Sequence, residues 1–162
     1  MAATHHWYES NGAGEVEEAD ISNINFGSAD VPNLNTTTYP ITRGNNSFEK
    51  YIRCFFSGTW TEISNMLFWK SAGAYVAGES LKAAANVVYA QPSETPNADS
   101  AIPTTEGTAL AIQSAEGAAK IEYGASGVSG YTGYIRMQVP TTGLTPAGAV
   151  NQKTLMFQYD EV

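Results

Sequence analysis

The chain has 162 residues, a net charge of −8 and a sequence pI of about 4.6. Charged residues make up 15% of it, below the ~25% typical of soluble domains, while hydrophobic residues make up 43%, too many for a disordered chain. This length suits one domain with one sizeable core, and the negative charge argues against a nucleic-acid partner because it repels phosphate groups.

The first twenty residues predict a short strand, a turn and an acidic segment. The strand would contain Trp7 and Tyr8, and the sequence NGAG at residues 11–14 favours a turn. EVEEAD, residues 15–20, then holds four carboxylates in six residues. This segment is typical of a solvated loop, with a cation site or a contact with a basic partner surface as alternatives, and its spacing does not match an EF-hand loop. We expect residues 1–20 to form an extended arm.

Residues 21–47 combine one possible strand with a long polar connection. ISNINFG, residues 21–27, alternates apolar and polar positions approximately, which predicts a strand. The connection that follows, residues 28–47, contains Pro32 and Pro40. Because proline cannot donate to a sheet ladder, this connection can form an edge or an extended segment but not a central strand.

The segment from residue 47 to residue 73 predicts two strands joined by a turn at SGTW, residues 57–60. It carries Trp60, Trp69 and four of the six phenylalanines, and its β-branched and aromatic content favours strands over helices. Both strands are apolar on both faces, and such strands are normally covered on both sides. We therefore predict that one face lies between two layers of sheet and that the other is covered by the N-terminal arm, by a long loop or by a neighbouring subunit.

Further short strands are predicted in the remaining half of the chain, separated by a long Pro/Ser/Thr loop at residues 93–108. They lie at residues 83–90, 109–115, 118–125, 134–142 and 153–162. With no convincing helix and no internal repeat, the pattern predicts an all-β protein. We expect a single-domain antiparallel β-sandwich over residues 1–162, Ig-like or jelly-roll-like, with an extended N-terminal arm and long loops. The residues expected to form its core are Ile52, Phe55, Phe56, Leu67, Trp69, Ile135, Val139, Leu155 and Phe157.

Residues that could carry catalysis or bind a metal do not form a recognisable pattern. Cys54 lies in an apolar run, as a buried structural cysteine does, and His5 and His6 would point to opposite faces of a strand. No pair of acidic residues is placed by the sequence at the separation that glycoside hydrolysis needs. We therefore predict no enzymatic activity, no catalytic residues, no cofactor and no metal.

Localisation follows from the absence of targeting patterns. The N-terminus MAATHHWYES lacks a basic region followed by an apolar run, and no stretch of about eighteen apolar residues occurs. We expect a protein that is made in a cytoplasm, is soluble there and has no membrane partner.

Several sequence elements occur in a characteristic order: WYES near the N-terminus, the FGSAD segment, a YPI connection, NSFEKYIR, ISNMLFWKSAG and the final FQYDE. Together they resemble small virion proteins of tailed phages and prophage-encoded structural proteins with an Ig-like or related β-sandwich fold. The resemblance covers residues 7–73 and the last ten residues.

The resemblance implies a non-enzymatic virion structural protein. A capsid decoration or cement protein that bridges subunits of the major capsid protein is the first interpretation, and a tail tube, tail-completion or baseplate protein is the alternative. From another class, the exposed aromatic residues leave open a carbohydrate-binding or adhesin module that recognises a host glycan. The virion interpretation implies a homo-oligomer or a symmetric array.

The residues that we expect to contact a partner lie near the N-terminus and in the polar connection. They are Trp7, Tyr8, Glu15, Glu17, Glu18, Asp20 and Tyr39.

Overall fold

A computed structural model describes residues 3–148 and 151–162 of the chain. Within these ranges the secondary structure is β-strand apart from one short 3₁₀ turn at Glu106–Thr108, and no helix is long and apolar enough to cross a bilayer. The strands are β1 (Thr4–Asn11), β2 (Val16–Glu18), β3 (Lys50–Ser57), β4 (Glu62–Ala72), β5 (Lys82–Val87), β6 (Leu110–Ala111), β7 (Ile121–Glu122), β8 (Tyr134–Gln138) and β9 (Thr154–Glu161).

The strands form two antiparallel sheets. One sheet has five strands in the order β2-β1-β3-β8-β5. In the other, β4 pairs with β9 along one edge, and the short strands β6 and β7 pair with its other edge. The predicted all-β sandwich class is therefore confirmed.

The hydrophobic core lies between the two sheets. β3 contributes Ile52, Cys54 and Phe56 from alternate positions, as expected for one face of a strand. The two sheets also meet through aromatic rings, since Trp7 of β1 lies 5.1 Å from Phe157 of β9 in an edge-to-face arrangement. The fully buried members of the core are Ile52, Cys54, Phe56, Trp60, Ile63, Met66, Phe68, Leu81, Ala83, Ile102, Ile112, Ile121, Ile135, Met137 and Val139.

The two strands predicted within residues 47–73, at residues 49–56 and 63–70, are present, but they do not form a hairpin with each other. β3 pairs with β1 and β8, whereas β4 pairs with strands of the other sheet. The turn between them carries the chain across the core, with Gly58 at a φ of 100°. Because each strand has an apolar face, placing the two in opposite sheets buries both faces against each other.

A bulge in β4 changes which side chains face the core. Asn65 adopts a φ of 49°, a left-handed conformation that asparagine tolerates, and the register with β9 shifts between residues 64 and 67. As a result Met66 and Phe68 enter the core, Leu67 is only partly buried and Trp69 is buried outside the core cluster.

The predicted core list is otherwise confirmed with one further exception. Ile52, Phe56, Ile135 and Val139 are core members, and Leu155 and Phe157 pack against the core while partly buried. Phe55 is wrong as a core residue, because its position on β3 points it to the outer face of the five-stranded sheet, where its ring lies 4.7 Å from that of Tyr131.

The N-terminal segment is not an extended arm. Residues 4–10 pair with β3 along its length, and the turn at residues 12–15 leads into β2. The alternation of this segment explains the difference, since His5 and Trp7 face the aromatic rings of β9 while Tyr8 faces outward. Residues 1–2 of the expected arm lie outside the described residues.

The strand predicted at residues 21–27 is also absent from the described structure. Ile21 donates one backbone hydrogen bond to the Trp7 carbonyl, and Ile21, Ile24 and Phe26 pack against the core from an irregular segment. The alternating apolar side chains are therefore used for packing without a sheet ladder.

Candidate interaction surface

A cluster of aromatic side chains around one arginine covers the outer face of the five-stranded sheet. We call the side chains of Tyr8, Arg53, Phe55, Tyr131 and Tyr134 the tyrosine face. The Arg53 guanidinium lies over the Tyr131 ring at 4.1 Å and over the Tyr134 ring at 4.7 Å, and the rings of Tyr8 and Tyr131 are 5.6 Å apart. Two cation–π contacts and edge-to-face ring pairs hold these side chains in one arrangement.

The strand pairing explains why these side chains meet. Tyr8 of β1 is directly opposite Arg53 of β3, so the two side chains share a face. Tyr131 reaches the same face because it forms an isolated bridge with Phe55. The sequence places Arg53 and Phe55 on one face of a strand but gives no indication of the tyrosines that join them from distant parts of the chain.

Two carboxylates of the acidic segment lock the tyrosine face. Glu17 forms an ion pair with Arg53 at 2.6 Å, and the Tyr134 hydroxyl donates to Glu15 at 2.5 Å. Burial raises the pKa of Tyr134, and its hydrogen bond to the Glu15 carboxylate raises it further, so the hydroxyl remains a donor at neutral pH. The ring and the guanidinium are therefore fixed before any partner binds.

The other two carboxylates of the acidic segment are used elsewhere in the same chain. Glu18 accepts from the Asn33 side chain at 2.9 Å, and Asp20 lies 2.6 Å from Nδ1 of His6. In residues 3–148 and 151–162, no group of three or more His, Cys, Asp or Glu side chains is arranged to hold a metal ion. The expectation of a solvated loop is wrong for Val16–Glu18, because these residues form β2 along the edge of β1.

The predicted contact residues do not form a single surface. Tyr8, Glu15 and Glu17 come together at the tyrosine face. Trp7 instead points between the sheets, where it packs against the core. Tyr39 is exposed within the polar connection, and its backbone bonds to Ser28 there.

A cavity of about 390 Å³ opens beside the tyrosine face. Its polar groups are held by internal hydrogen bonds. The side-chain oxygen of Asn86 accepts from the Gln113 backbone N–H at 2.7 Å, and the side-chain NH₂ of Asn86 donates to the Ala111 carbonyl at 2.9 Å. The Tyr89 hydroxyl donates to the Gly12 carbonyl at 2.5 Å, and burial raises the pKa of Tyr89 to about 12. The volume lies in the range of small-molecule pockets. The residues that line it are Glu15, Arg53, Asn86, Val87, Val88, Tyr89, Gln113, Ser114, Ala115, Gly117, Thr132, Gly133 and Tyr134.

A second groove, of about 320 Å³, is lined in part by Phe55. Trp60 and Tyr123 line it with ring centroids 4.9 Å apart, and Tyr123 is exposed. The indole N–H of Trp60 is buried and finds no hydrogen-bond acceptor among the described residues.

A buried ion pair anchors the loops behind the tyrosine face. Lys50 donates to Glu9 at 2.6 Å and to the Val31 carbonyl at 3.1 Å, and the Lys50 and Glu9 side chains are 1% and 3% exposed. Nearby, the Gly12 N–H donates to Asp30 at 2.9 Å. These contacts tie residues 30–31 to the hairpin of β1 and β2, which carries the two carboxylates of the tyrosine face.

Comparison with protein-family models, with curated proteins and with solved structures finds no match to this chain.

Proposed function

We propose that the protein is a non-enzymatic structural protein of a tailed-phage virion and that it decorates the capsid. The tyrosine face would be the surface that meets the major capsid protein. Two lines of argument support this: the resemblance of residues 7–73 and of the last ten residues to virion proteins, and the construction of the tyrosine face itself.

The observation that carries the proposal is the fixed stack of Arg53 on Tyr131 and Tyr134. Arginine and tyrosine are the residues that most often dominate protein–protein binding energy, and a side chain that is already held in place loses little entropy on binding. One strongly exposed valine adjoins this face, since Val88 lines the cavity beside it. It offers apolar area next to a preorganised polar centre, as interfaces do.

The protein would act mechanically, by stabilising the capsid shell. A decoration protein stabilises a shell when each copy buries area on more than one capsid subunit, because separating those subunits then also breaks the contacts with the bridging copy. A sandwich whose loops are tied down by buried contacts suits this role, since little ordering is needed when it docks.

The direct test is the copy number of the protein in purified particles, measured by quantitative mass spectrometry. We expect a copy number of the order of the number of capsid subunits. A small multiple of six would instead identify a tail tube, tail-completion or baseplate protein, and absence from the particles would overturn the virion proposal altogether.

The role of the tyrosine face can be tested with two matched variants in a binding assay on particles stripped of this protein. Val88→Asp places a charge beside the face, and Leu144→Asp places the same charge on an equally exposed loop residue outside it. We expect V88D to weaken binding by at least about tenfold and L144D to leave it within about twofold. Equal effects of the two variants would contradict the assignment of this face.

The cavity of about 390 Å³ favours a second candidate function, which is carbohydrate binding. Aromatic rings beside fixed amide and carboxylate groups are the combination that recognises sugars, and here Tyr89 and Tyr134 stand beside Asn86 and Glu15. A glycan array, followed by titration of the tryptophan fluorescence with any sugar that binds, would test this function. Loss of sugar binding in Asn86→Ala would place the sugar in the cavity, and a blank array would reject this alternative.

A further inference from the structure

β9 is an edge strand with one unpaired side. It pairs with β4 from Thr154 to Glu161 and with no other strand in the described part of the chain. The side chains of Leu155, Phe157 and Tyr159 point toward the core, while Thr154 and Met156 are exposed on the outer face of the sheet.

The hydrogen bonds of β4 show which backbone groups of β9 face away from it. The Lys70 N–H donates to the Pro103 carbonyl and the Met66 carbonyl accepts from Ile112, so these residues of β4 direct their backbone groups to the side opposite β9. Lys70 is paired with Leu155, and Phe68, which lies between Met66 and Lys70 in the same alternation, is paired with Phe157. These are non-hydrogen-bonded pairs of the β4–β9 ladder. In such an antiparallel pair the backbone N–H and C=O groups of both residues point away from each other.

The free edge therefore presents the N–H and C=O groups of Leu155, Phe157, Tyr159 and Glu161. The C-terminal end of the chain agrees with this alternation. Val162 exchanges both of its backbone hydrogen bonds with Glu62 and so faces β4, which leaves the backbone groups of the preceding residue, Glu161, facing away. Among the described residues, no backbone group donates to or accepts from the four free positions.

The free edge lacks the features that normally block strand pairing. Edge strands are usually protected by proline, by a bulge or by charges along their length. β9 contains no proline, and in both register shifts of its pairing with β4 the extra residue lies on β4. Its only charged residues are Asp160 and Glu161 at one end. An edge of this length that stays open is a template for another strand.

We propose that β9 pairs in antiparallel orientation with β9 of a second copy of this chain, about a two-fold axis through Phe157. This register makes Phe157 a hydrogen-bonded pair with its own counterpart and pairs Leu155 with Tyr159 of the second copy. Three of the four free positions on each strand are then satisfied by one another, and the fourth, Glu161, lies opposite Lys153 of the second copy. The proposal does not depend on the virion function.

Charge selects the antiparallel orientation. Two parallel copies would place their acidic ends side by side, which destabilises a sheet. The antiparallel arrangement separates the acidic ends, because Glu161 of each copy lies opposite Lys153 of the other, which is itself paired with Glu79 of its own chain. It also puts Met156 opposite Gln158 of the second copy, with both side chains on the exposed outer face.

Two double variants of the full chain test the pairing and its register. M156E/Q158E places glutamates opposite glutamates across the two-fold axis, whereas M156K/Q158E places each lysine opposite a glutamate of the other copy. Both variants replace Gln158 and so lose equally its bond to Glu106. Circular dichroism of each variant checks that the fold is retained.

Sedimentation equilibrium from micromolar concentration to about 1 mM would measure the dimer. We expect a dimer for the natural sequence, a dissociation constant raised roughly tenfold or more in M156E/Q158E, and recovery in M156K/Q158E. Amide hydrogen exchange provides a second measurement, because the N–H groups of Leu155, Phe157 and Tyr159 should become protected as concentration rises.

Each other outcome contradicts the proposal. If the chain stays monomeric up to the highest concentration, β9 does not pair with a second copy, and any strand that pairs with it belongs to a different protein. A dimer that is indifferent to both variants is built on another surface. A dimer lost in both variants has β9 paired in a different register, for instance with Gln158 opposite its own counterpart.

Discussion

Replacing Lys50 with methionine tests whether the buried ion pair holds the loops behind the tyrosine face. The substitution keeps the apolar stem of the side chain and removes its charge. It leaves the Glu9 carboxylate, 3% exposed, without its cation, and it leaves the Val31 carbonyl without its donor. The Glu9 carboxylate is buried away from water, whereas the Val31 carbonyl is partly buried.

The expected cost follows from burial rather than from distance. Removing one partner of a buried pair costs about 3–5 kcal/mol, because the remaining charge is uncompensated, and the orphaned carbonyl adds to this. Lys120 forms an ion pair with Glu122 at the same 2.6 Å, but those side chains are 47% and 53% exposed, so K120M should change stability little or not at all.

Urea denaturation followed by tryptophan fluorescence would measure the free energy of unfolding of both variants. A third variant, E9Q/K50M, should recover part of the loss because no buried charge remains. The reasoning is refuted if K50M and K120M are destabilised equally. It is also refuted if the loss of stability in E9Q/K50M equals the sum of the losses measured for E9Q alone and K50M alone.

Three further outcomes are expected. Since the pKa of Tyr89 is raised to about 12 from 10.0, its neutral form contributes stability that is complete below pH 10 and is lost as the pH rises toward 12, so Y89F should flatten the pH dependence of the melting temperature in that window. Gly27→Ala should destabilise the fold, because an added Cβ would lie 2.3 Å from the Tyr39 carbonyl oxygen, whereas Gly14→Ala, with open space around it, should not; thermal melting compares the two. Finally, burial raises the pKa of the Cys54 thiol to about 12, so it should react with a thiol reagent at pH 8 only at the rate of unfolding, and rapid labelling of the native protein would contradict its placement in the core.

Much of the fold could be predicted because the strands are short and their apolar alternation is local. β8 and β9 fall within the predicted segments, and β3 and β4 match the strands predicted at residues 49–56 and 63–70 to within two residues at each end. The turn predicted at residues 11–14 is found at residues 12–15, between β1 and β2. Alternation, however, shows which side chains share a face and not which strand lies beside it. The pairing of β1 with β3 joins residues more than forty positions apart, such as Trp7 and Cys54, and no local pattern encodes it.

The bulge at Asn65 shows a second limit. A single residue at positive φ reversed the predicted faces of the rest of β4, so that Met66 and Phe68 replaced Leu67 and Trp69 in the core. Asparagine within an apolar strand is a weak indication of such a bulge, and it was present in the sequence.

The candidate site was predictable only in part. Glu15 and Glu17 were expected to face a partner or a cation, but both are committed to Tyr134 and Arg53 within the chain. The sequence shows that charges are clustered. It does not show that aromatic residues from more than a hundred positions away will return to meet them.

Cryo-electron microscopy of phage particles produced by cells that carry the gene for this chain tests the central claim most directly. The proposal predicts density for many copies on the outside of the shell, with the tyrosine face and Val88 buried against the major capsid protein. Particles in which the chain is missing, or in which Arg53, Tyr131 and Val88 all face solvent, would contradict it.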